Sequence, residues 1–311
     1  MEVKHLQALV GIADTGSFSA AAEAIGTVHS NVSAHVARLE RELEVALVDR
    51  SSGRLTPEGQ VVVARARRVL LELEAIVTDV VAMRHEVRGT VRVGMIGTTG
   101  RWLVPLLVSG LHARHPAVTV TVSDGTSATL EPQLVSGQLD VAVVTLPVPG
   151  DELSASPLFE EDLMLVVPVE HPLAAGADPD ALIPLQVLGT LELLLPLPGT
   201  ALRDEIDAAV HPAGVTLHPS LELDGLRMIA SLTFDGYGPA ILPAAAVPGH
   251  LRDRFALLAI EGHPRRRVGV AVRSRGLPSA PTRALIEILR ELVEDPAAIP
   301  NGLHPAVGPR R

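Results

Sequence analysis

The chain contains no cysteine. That excludes disulfides, thiolate metal sites and any switch based on thiol oxidation. Aromatic side chains make up only 2% of the 311 residues, with a single tryptophan, Trp102, and a single tyrosine, Tyr237. The core must therefore be built from Val, Leu, Ile and Ala, and the 47% hydrophobic content supplies them. Lysine is nearly absent: Lys4 stands beside 25 arginines. No uninterrupted apolar run approaches the roughly 20 residues needed to span a bilayer. The opening MEVKHLQALVGIADTG reads as an amphipathic helix rather than a secretion signal. The expectation is a cytoplasmic protein without a membrane partner.

Catalytic signatures are missing as well. Gly94, Gly97 and Gly100 follow a strand in a G-x-x-G-x-x-G spacing, which is not the dinucleotide fingerprint. There is no Walker A, G-x-S-x-G or H-E-x-x-H motif. The 12 histidines are scattered, without zinc-ligand spacing. The chain is expected to be no enzyme and to hold neither cofactor nor metal. Its net charge of −10 argues at first against nucleic acid as a partner. The distribution of that charge answers the objection. Residues 1–68 carry eight basic and eight acidic side chains, whereas residues 89–311 carry 16 basic and 24 acidic ones. Most of the deficit lies outside the N-terminal segment.

That N-terminal segment is the most informative part of the chain. Leu6, Leu9, Val10 and Ala13 recur at helical spacing over residues 3–13. Gly16 can end that helix, and Ser17 or Ser19 can cap the next. Small residues Ala20, Ala21, Ala22 and Ala24 allow another helix to pack close, and Gly26 is the next stop. Thr27 is a candidate cap for a third helix with a buried stripe at Val32, Val36, Leu39 and Leu43. Its opposite face carries His29, Ser30, Asn31, Ser33, Ala34, His35 and Arg38, most of them short polar groups able to reach base edges or phosphates. A basic hairpin, SSGR, and a helix start, TPEG, follow. The order suits a winged helix-turn-helix, whose second motif helix enters the major groove of double-stranded DNA.

These residues resemble the N-terminal domain of LysR-type transcriptional regulators. The shared pattern comprises Gly16-Ser17-Phe18, Ala21-Ala22, Ser33, Leu39-Glu40, Leu43, Leu47, Arg50 and Leu55-Thr56 with Gly59. About a dozen positions agree in register over some forty residues, which makes the match specific. The chain departs from the family pattern at His29-Ser30, where Gln-Pro is usual, at Ala34 for Arg, and at Val48 for Phe. No target sequence is therefore carried over. The candidate DNA-binding residues are Ser17, His29, Ser30, Asn31, Ser33, His35, Arg38, Arg50 and Arg54. Several have a second reading. Ser33 can bond within its own helix, Arg50 can be a structural ion-pair partner, and Arg54 is read as a wing arginine at or near the minor groove.

Beyond Pro57, no proline or glycine other than Gly59 interrupts the chain until Gly89. Val62, Ala66, Val69, Leu73, Ile76, Val80, Met83 and Val87 alternate steps of four and three, a heptad seam of nearly four repeats. A helix over residues 61–88 is expected to dimerise through Val62, Val69, Leu73, Ile76, Val80 and Met83. The alternative is packing on its own domain.

From residue 90 strands and helices alternate. Strands are expected at 91–96, 118–123, 139–146, 163–168, 191–197, 239–243 and 265–273, with a final helix over 282–293. Buried parallel strands with covering helices are the natural reading, and the Pro- and Gly-rich tail over 296–311 is expected to be disordered. GTTGRWLVPLL, HPAVTVTVSDGTSATLEPQLVSGQLDVAVV and GYGPAILP also resemble the C-terminal part of LysR-type regulators. The resemblance implies an α/β effector-binding domain over 89–295 with two subdomains like those of periplasmic binding proteins. One covers 90–161 plus 267–295 and the other 162–266. With the winged helix-turn-helix over 1–60 and the linker helix, this completes the expected architecture.

Helix N-termini attract anions through their free N–H groups and dipole. Three such starts face the expected crevice: Thr98-Thr99-Gly100, Gly125-Thr126-Ser127 and Pro198-Gly199-Thr200. The candidate effector residues are Thr98, Thr99, Thr126, Ser127, Pro198, Gly199, Thr200, Gly236 and Tyr237, the last two by resemblance. The hydroxyls could equally serve only as caps. Arg101 and Arg203 follow two of these starts and have two readings, as partners of a ligand carboxylate or as solvated or ion-paired surface arginines. The reading as a whole is a promoter-binding homodimer or homotetramer, modulated by a small-molecule effector, with RNA polymerase as a further partner. The alternatives are a helix-turn-helix regulator of another family, a small-molecule binding protein, or an enzyme without a recognisable motif.

Overall fold

The computed structural model describes residues 1–83, 86–175, 182–262, 265–295 and 299–306. The N-terminal unit packs three helices, α1 (Val3–Thr15), α2 (Phe18–Ala24) and α3 (His29–Leu43). Gly16 ends α1 at φ 76°, a conformation that costs glycine little. Ser17 caps α2, its Oγ accepting from the Ala20 N–H at 3.1 Å. The third helix starts later than a Thr27 cap would place it. Its N-cap is Val28, and Thr27 Oγ1 instead accepts from Asn31 Nδ2 at 3.0 Å. Val32, Val36 and Leu39 are fully buried against Leu6, Leu9, Ile12 and Ala21. Leu43, expected in that stripe, is 41% exposed, because α3 ends there and Glu44 turns the chain away at φ 56°.

Val48 and Leu55 pair across the wing hairpin, with Gly53 at its tip in the left-handed region. Thr56 then caps α4 (Pro57–Ala82), its Oγ1 accepting from the Gly59 N–H at 2.9 Å. Val63 and Ala66 of α4 close the N-terminal core. The heptad seam suggests a helix reaching residue 88. The helix stops at Ala82, so Met83 is its C-cap and Val87 lies in irregular chain. The last turn of α4 is held by α10, where Asp79 accepts from the Ala280 N–H at 2.7 Å and pairs with Arg283, and the first strand of the next unit begins at Gly89. Residues 84–85 lie outside the described residues.

The C-terminal region runs β1 (Gly89–Ile96), α5 (Gly97–Arg114), β2 (Val118–Gly125), α6 (Ser127–Ser136), β3 (Val141–Thr145), β4 (Leu153–Glu161), β5 (Leu163–Pro168), β6 (Leu182–Ile183), α7 (Leu185–Leu188), β7 (Glu192–Pro196), α8 (Ala201–Val210), β8 (His218–Leu223), α9 (Leu226–Phe234), β9 (Ala240–Pro243), β10 (Phe255–Ile260), β11 (Arg266–Arg273), α10 (Ala280–Glu294) and β12 (Leu303–Pro305). Among the described residues these strands form two six-stranded sheets, ordered β12-β4-β11-β3-β1-β2 and β6-β10-β5-β9-β7-β8. Each sheet packs on an apolar core built mainly from Val, Leu and Ile, and that of the first sheet also takes in Met164 of the second and Ala244 and Ala245, which follow its β9. Asp162 alone separates β4 of the first sheet from β5 of the second, and β10 of the second is followed in the chain by β11 of the first.

The sheets are mixed, not purely parallel as expected. β11 runs antiparallel to β3 and β4, and β5 runs antiparallel to β9 and β10. The crossing strands are the cause: a chain that leaves one sheet and comes back inserts strands of the opposite direction. The tail also departs from expectation. β12 pairs antiparallel with β4, Leu303 is buried, and His304 Nε2 lies 2.8 Å from Asp162 Oδ2. This pairing covers an edge strand that would otherwise present free backbone groups. Residues 296–298 and 307–311 of the tail lie outside the described residues.

Candidate nucleic-acid interface and effector cleft

One face of α3 stands clear of the core. His29, Ser30, Asn31 and Arg38 are open to solvent on α3, and Arg54 is exposed near the wing tip. These five are exposed, although Asn31 Nδ2 donates to Thr27 Oγ1 and the His29 ring lies 5.8 Å from that of Phe18. The other candidates are engaged. Ser17 serves as a cap, although its residue remains exposed. Arg50 reaches back along α3, donating to Ser33 Oγ at 3.2 Å and to Glu40 Oε2 at 2.8 Å, with its guanidinium 5.0 Å from the Phe18 ring. Of the two readings for Arg50, the geometry displays the ion-pair one, and it draws Ser33 into the same network. Burial pushes the Glu40 carboxyl upward, but Arg50 and the N–H groups of Leu47 and Val48 outweigh that, so Glu40 titrates below the ordinary range.

His35, expected on the exposed face, is not fully there. Its ring lies 5.5 Å from that of buried His5, and its Nδ1 is buried with no hydrogen-bond partner among the described residues. Helical spacing puts position 35 at the edge of the buried stripe, flanking Val32 and Leu39, which is why α1 reaches it. Burial first, then the neighbouring positive groups His5, Lys4 and Arg38, hold His35 below the ordinary histidine range.

In the C-terminal domain, β1 and β2 are adjacent parallel strands whose ends align, Ile96 with Gly125. The starts of α5 and α6 therefore sit side by side. Thr98 and Thr99 are buried. Thr126 makes a reciprocal capping box with Thr129, so the cap reading accounts for it. Ser127 Oγ accepts from the Thr145 N–H at 3.0 Å and ties α6 to β3. On the other sheet Pro198, Gly199 and Thr200 follow the carboxyl end of β7, and Thr200 Oγ1 donates to the Leu197 carbonyl at 2.8 Å. Arg203 is ion-paired with Asp207 and Glu222, in line with its ion-paired reading.

Gly236 and Tyr237 do not join these groups. They lie in the loop before β9, and β9 runs parallel to β7. That loop is therefore at the amino end of the sheet, opposite the start of α8. Tyr237 is 70% exposed there.

Sequence reasoning missed the charged groups that join the subdomains. Glu161 is fully buried at the end of β4 and pairs with Arg266 at 2.6 Å. Glu161 Oε1 accepts from the Ala245 N–H, and Arg266 Nη2 donates to Thr98 Oγ1 at 3.3 Å. The strands containing this pair are the two that cross between sheets. Nearby Glu205 of α8 is shifted upward, by burial and by the Glu161 charge, against the pull of Arg266. Further out, Arg227 at the start of α9 pairs with Asp124 at the end of β2, closing one side of the crevice. The available signal was a charged residue at the terminus of an apolar strand, in PLFEED, TVSDG and RRRVGVAV. Thr99 Oγ1 and Arg266 Nε are buried without partners among the described residues. With the free N–H groups of the first turn of α5, they leave the crevice rich in donors, which suits a ligand bearing acceptor oxygens.

Among the described residues no group of His, Asp and Glu could hold a metal ion, and no helix is long and apolar enough to cross a membrane. Residues 3–60 match the family described as bacterial regulatory helix-turn-helix protein, lysR family, and residues 84–294 match the LysR substrate binding domain. Among similar proteins, a probable hydrogen peroxide-inducible genes activator of Mycobacterium leprae is 31% identical, the match covering 94% of each chain. The DNA-binding transcriptional dual regulator OxyR of Escherichia coli (strain K12) is 29% identical over 94% of this chain and 95% of its own. Among solved structures, a full-length OxyR point variant from Pseudomonas aeruginosa superposes with a TM-score of 0.76 at 28% identity, covering 94% of this chain and 95% of its own. Full-length CbnR in complex with its target DNA shares the fold at a TM-score of 0.64 and 22% identity, covering 94% and 99%. With a helix-turn-helix, a two-subdomain effector-binding domain and both matches together spanning most of its length, the chain belongs to the LysR family of bacterial transcriptional regulators.

Proposed function

We propose that this regulator binds its promoter as a homodimer or homotetramer through His29, Ser30, Asn31, Arg38 and Arg54 of each subunit. The observation that carries this reading is the accessibility of those five groups on one helix and one wing. His29, Ser30 and Asn31 occupy the end of α3 that enters the groove first, and Arg54 is left for the flanking backbone or minor groove. Self-association is supported by α4: Val69, Leu73, Ile76, Val80 and Met83 are 40–88% exposed along one stripe, an arrangement that a second copy would cover. Val62 packs on the N-terminal core and contributes less.

The effector sits between the starts of α5, α6 and α8, and its class is a small organic anion, supported by the donor excess at Thr99 and Arg266. Binding there shifts the relation of the two subdomains and, through α4, the spacing of the DNA-binding units. The relatives carry hydrogen peroxide in their names. This chain has no thiol, so a response to peroxide by cysteine oxidation is closed to it. The protein acts in the cytoplasm, where promoter and RNA polymerase are met, and it binds rather than catalyses.

Fluorescence anisotropy with a duplex from upstream of its own gene tests the reading. The wild-type chain should bind that duplex more tightly than a scrambled one, with affinity falling steeply with salt. Arg38→Ala/Arg54→Ala should weaken binding by about tenfold or more and flatten the salt dependence. Failure to select any genomic fragment over random DNA, in anisotropy and in a genome-wide pull-down alike, would sink it.

A further inference from the structure

A second concavity lies one helical turn along α5 from the crevice. It is an open-mouthed pocket of about 710 Å³ between α5, the end of α9, the segment after β9, and the C-terminal tail. None of the helix-start residues named for the effector lines it. Its walls are of two kinds. Trp102, Phe234 and Ile299 supply apolar and aromatic surface, in a chain where aromatics are only 2% of residues. Arg101, Arg252 and His250 supply nitrogen donors, and among the described residues no Asp or Glu lines it. That composition stands out in a protein with a net charge of −10.

The polar groups are also underused. Trp102 Nε1 is buried with no hydrogen-bond partner among the described residues. The Arg101 guanidinium makes one long contact, 3.5 Å to the Ala246 carbonyl. Among the described residues, no hydrogen bond or ion pair engages the Arg252 side chain. Buried donors without acceptors are costly, and arginines without a carboxylate nearby are open to one. Aromatic surface beside guanidinium groups accepts a flat ring with a carboxylate at its end.

We propose that this pocket is a second ligand site, distinct from the crevice, and that it takes aromatic carboxylates. The ring lies against Trp102 and Phe234, and the carboxylate meets Arg101 and Arg252. Because α5 belongs to the first subdomain and Phe234 and Arg252 to the second, a ligand here bridges the two.

Trp102 is the only tryptophan, so its fluorescence reports on this wall alone. The full-length chain is titrated with 3-phenylpropionate, 3-phenyl-1-propanol and hexanoate, followed by Trp102 emission and by calorimetry. The expected result is saturable binding of 3-phenylpropionate, with the neutral alcohol and the aliphatic acid each weaker by about tenfold or more. Arg101→Ala/Arg252→Ala should lose about tenfold in affinity for the acid while melting as the wild type does, because neither side chain supports the core. Thr99→Val, in the crevice, should leave that affinity unchanged. No binding by either readout up to millimolar acid overturns the proposal. So does binding that survives the arginine double variant, or that disappears in Thr99→Val, which would place the acid in the crevice. The promoter-binding test above is independent of all these outcomes.

Discussion

At the level of single residues, the DNA-binding unit contains two polar groups whose surroundings decide their behaviour. His35 is held below 6.5 by burial against His5. The folded form takes up a proton less readily than the unfolded chain, so the unfolded chain is protonated first as pH falls. The stability it contributes is complete above about pH 6.5 and is lost as pH drops through the depressed folded value. Thermal melts at about pH 7.5, 6 and 5 should show the N-terminal unit weakening, and His35→Gln should flatten that dependence. The carboxylates held low, Glu40 and Asp49, titrate below this window, Asp49 at about 2 because Ser51 and Ser52 donate to it. Glu40 has a structural role, accepting from Leu47 N–H at 2.9 Å and Val48 N–H at 3.2 Å while pairing with Arg50. Glu40→Ala should cost about 2 kcal/mol by leaving those donors unpaired, measured by denaturant unfolding, with Glu40→Gln losing less. The helical spacing identifies Val32, Val36 and Leu39 as core, because periodicity alone decides which face is buried. It does not say that α1 extends far enough to shelter His35.

At the level of elements, α4 shows what a pattern reveals and what it omits. Its seam is legible because apolar residues at steps of three and four have no other use on a helix. Its end is not, because Ala82 is followed by nothing that breaks a helix before Gly89. The end is set from outside: Asp79 accepts from the Ala280 N–H at 2.7 Å and pairs with Arg283, fixing the last turn to α10. Leu73→Glu/Ile76→Glu should convert the assembly to smaller species in light scattering without lowering the melting temperature of the isolated fold, since both side chains are exposed. Unchanged mass would exclude the α4 stripe as the interface. At the other end of α4, Gly59 packs so closely on the wing strand that an added Cβ would collide with the Leu47 carbonyl oxygen. Gly59→Ala should destabilise by about 1–3 kcal/mol and displace the wing, weakening DNA binding beyond the stability loss. Strands β4, β8 and β10 are not foreshadowed by the pattern. β8 is an edge strand with almost every residue exposed, and β4 contains Pro157 and a broken apolar pattern.

For the whole molecule, the joint between subdomains is the feature on which the proposed effector response rests. Two ion pairs span it or lie on its strands, and they differ in consequence. Glu161 and Arg266 are buried, so Glu161→Ala leaves a guanidinium without its partner and should cost about 3–5 kcal/mol, read as a large fall in melting temperature. Asp124 and Arg227 are exposed, so Arg227→Ala should change stability by about 1 kcal/mol or less while releasing one side of the crevice. Faster amide exchange around the starts of α5 and α9, at nearly constant stability, is the expected signature. Unaltered exchange there would mean that the pair does not hold the subdomains together.

Patterns along the chain suffice for the family, the winged helix-turn-helix, the apolar stripe of α4 and the helix starts at Thr98, Thr126 and Thr200. Each of these is local: a period, a turn residue or a cap within a few positions of its partner. Folding in three dimensions settles which hydroxyls remain free, that Arg50 is spent on Glu40 and Ser33, and that Tyr237 lies at the far end of its sheet. It also brings residues as distant in sequence as Glu161 and Arg266, or Arg101 and Arg252, together across the joint. Such meetings depend on strand direction and on chain crossings between two sheets, and no spacing along the chain encodes them.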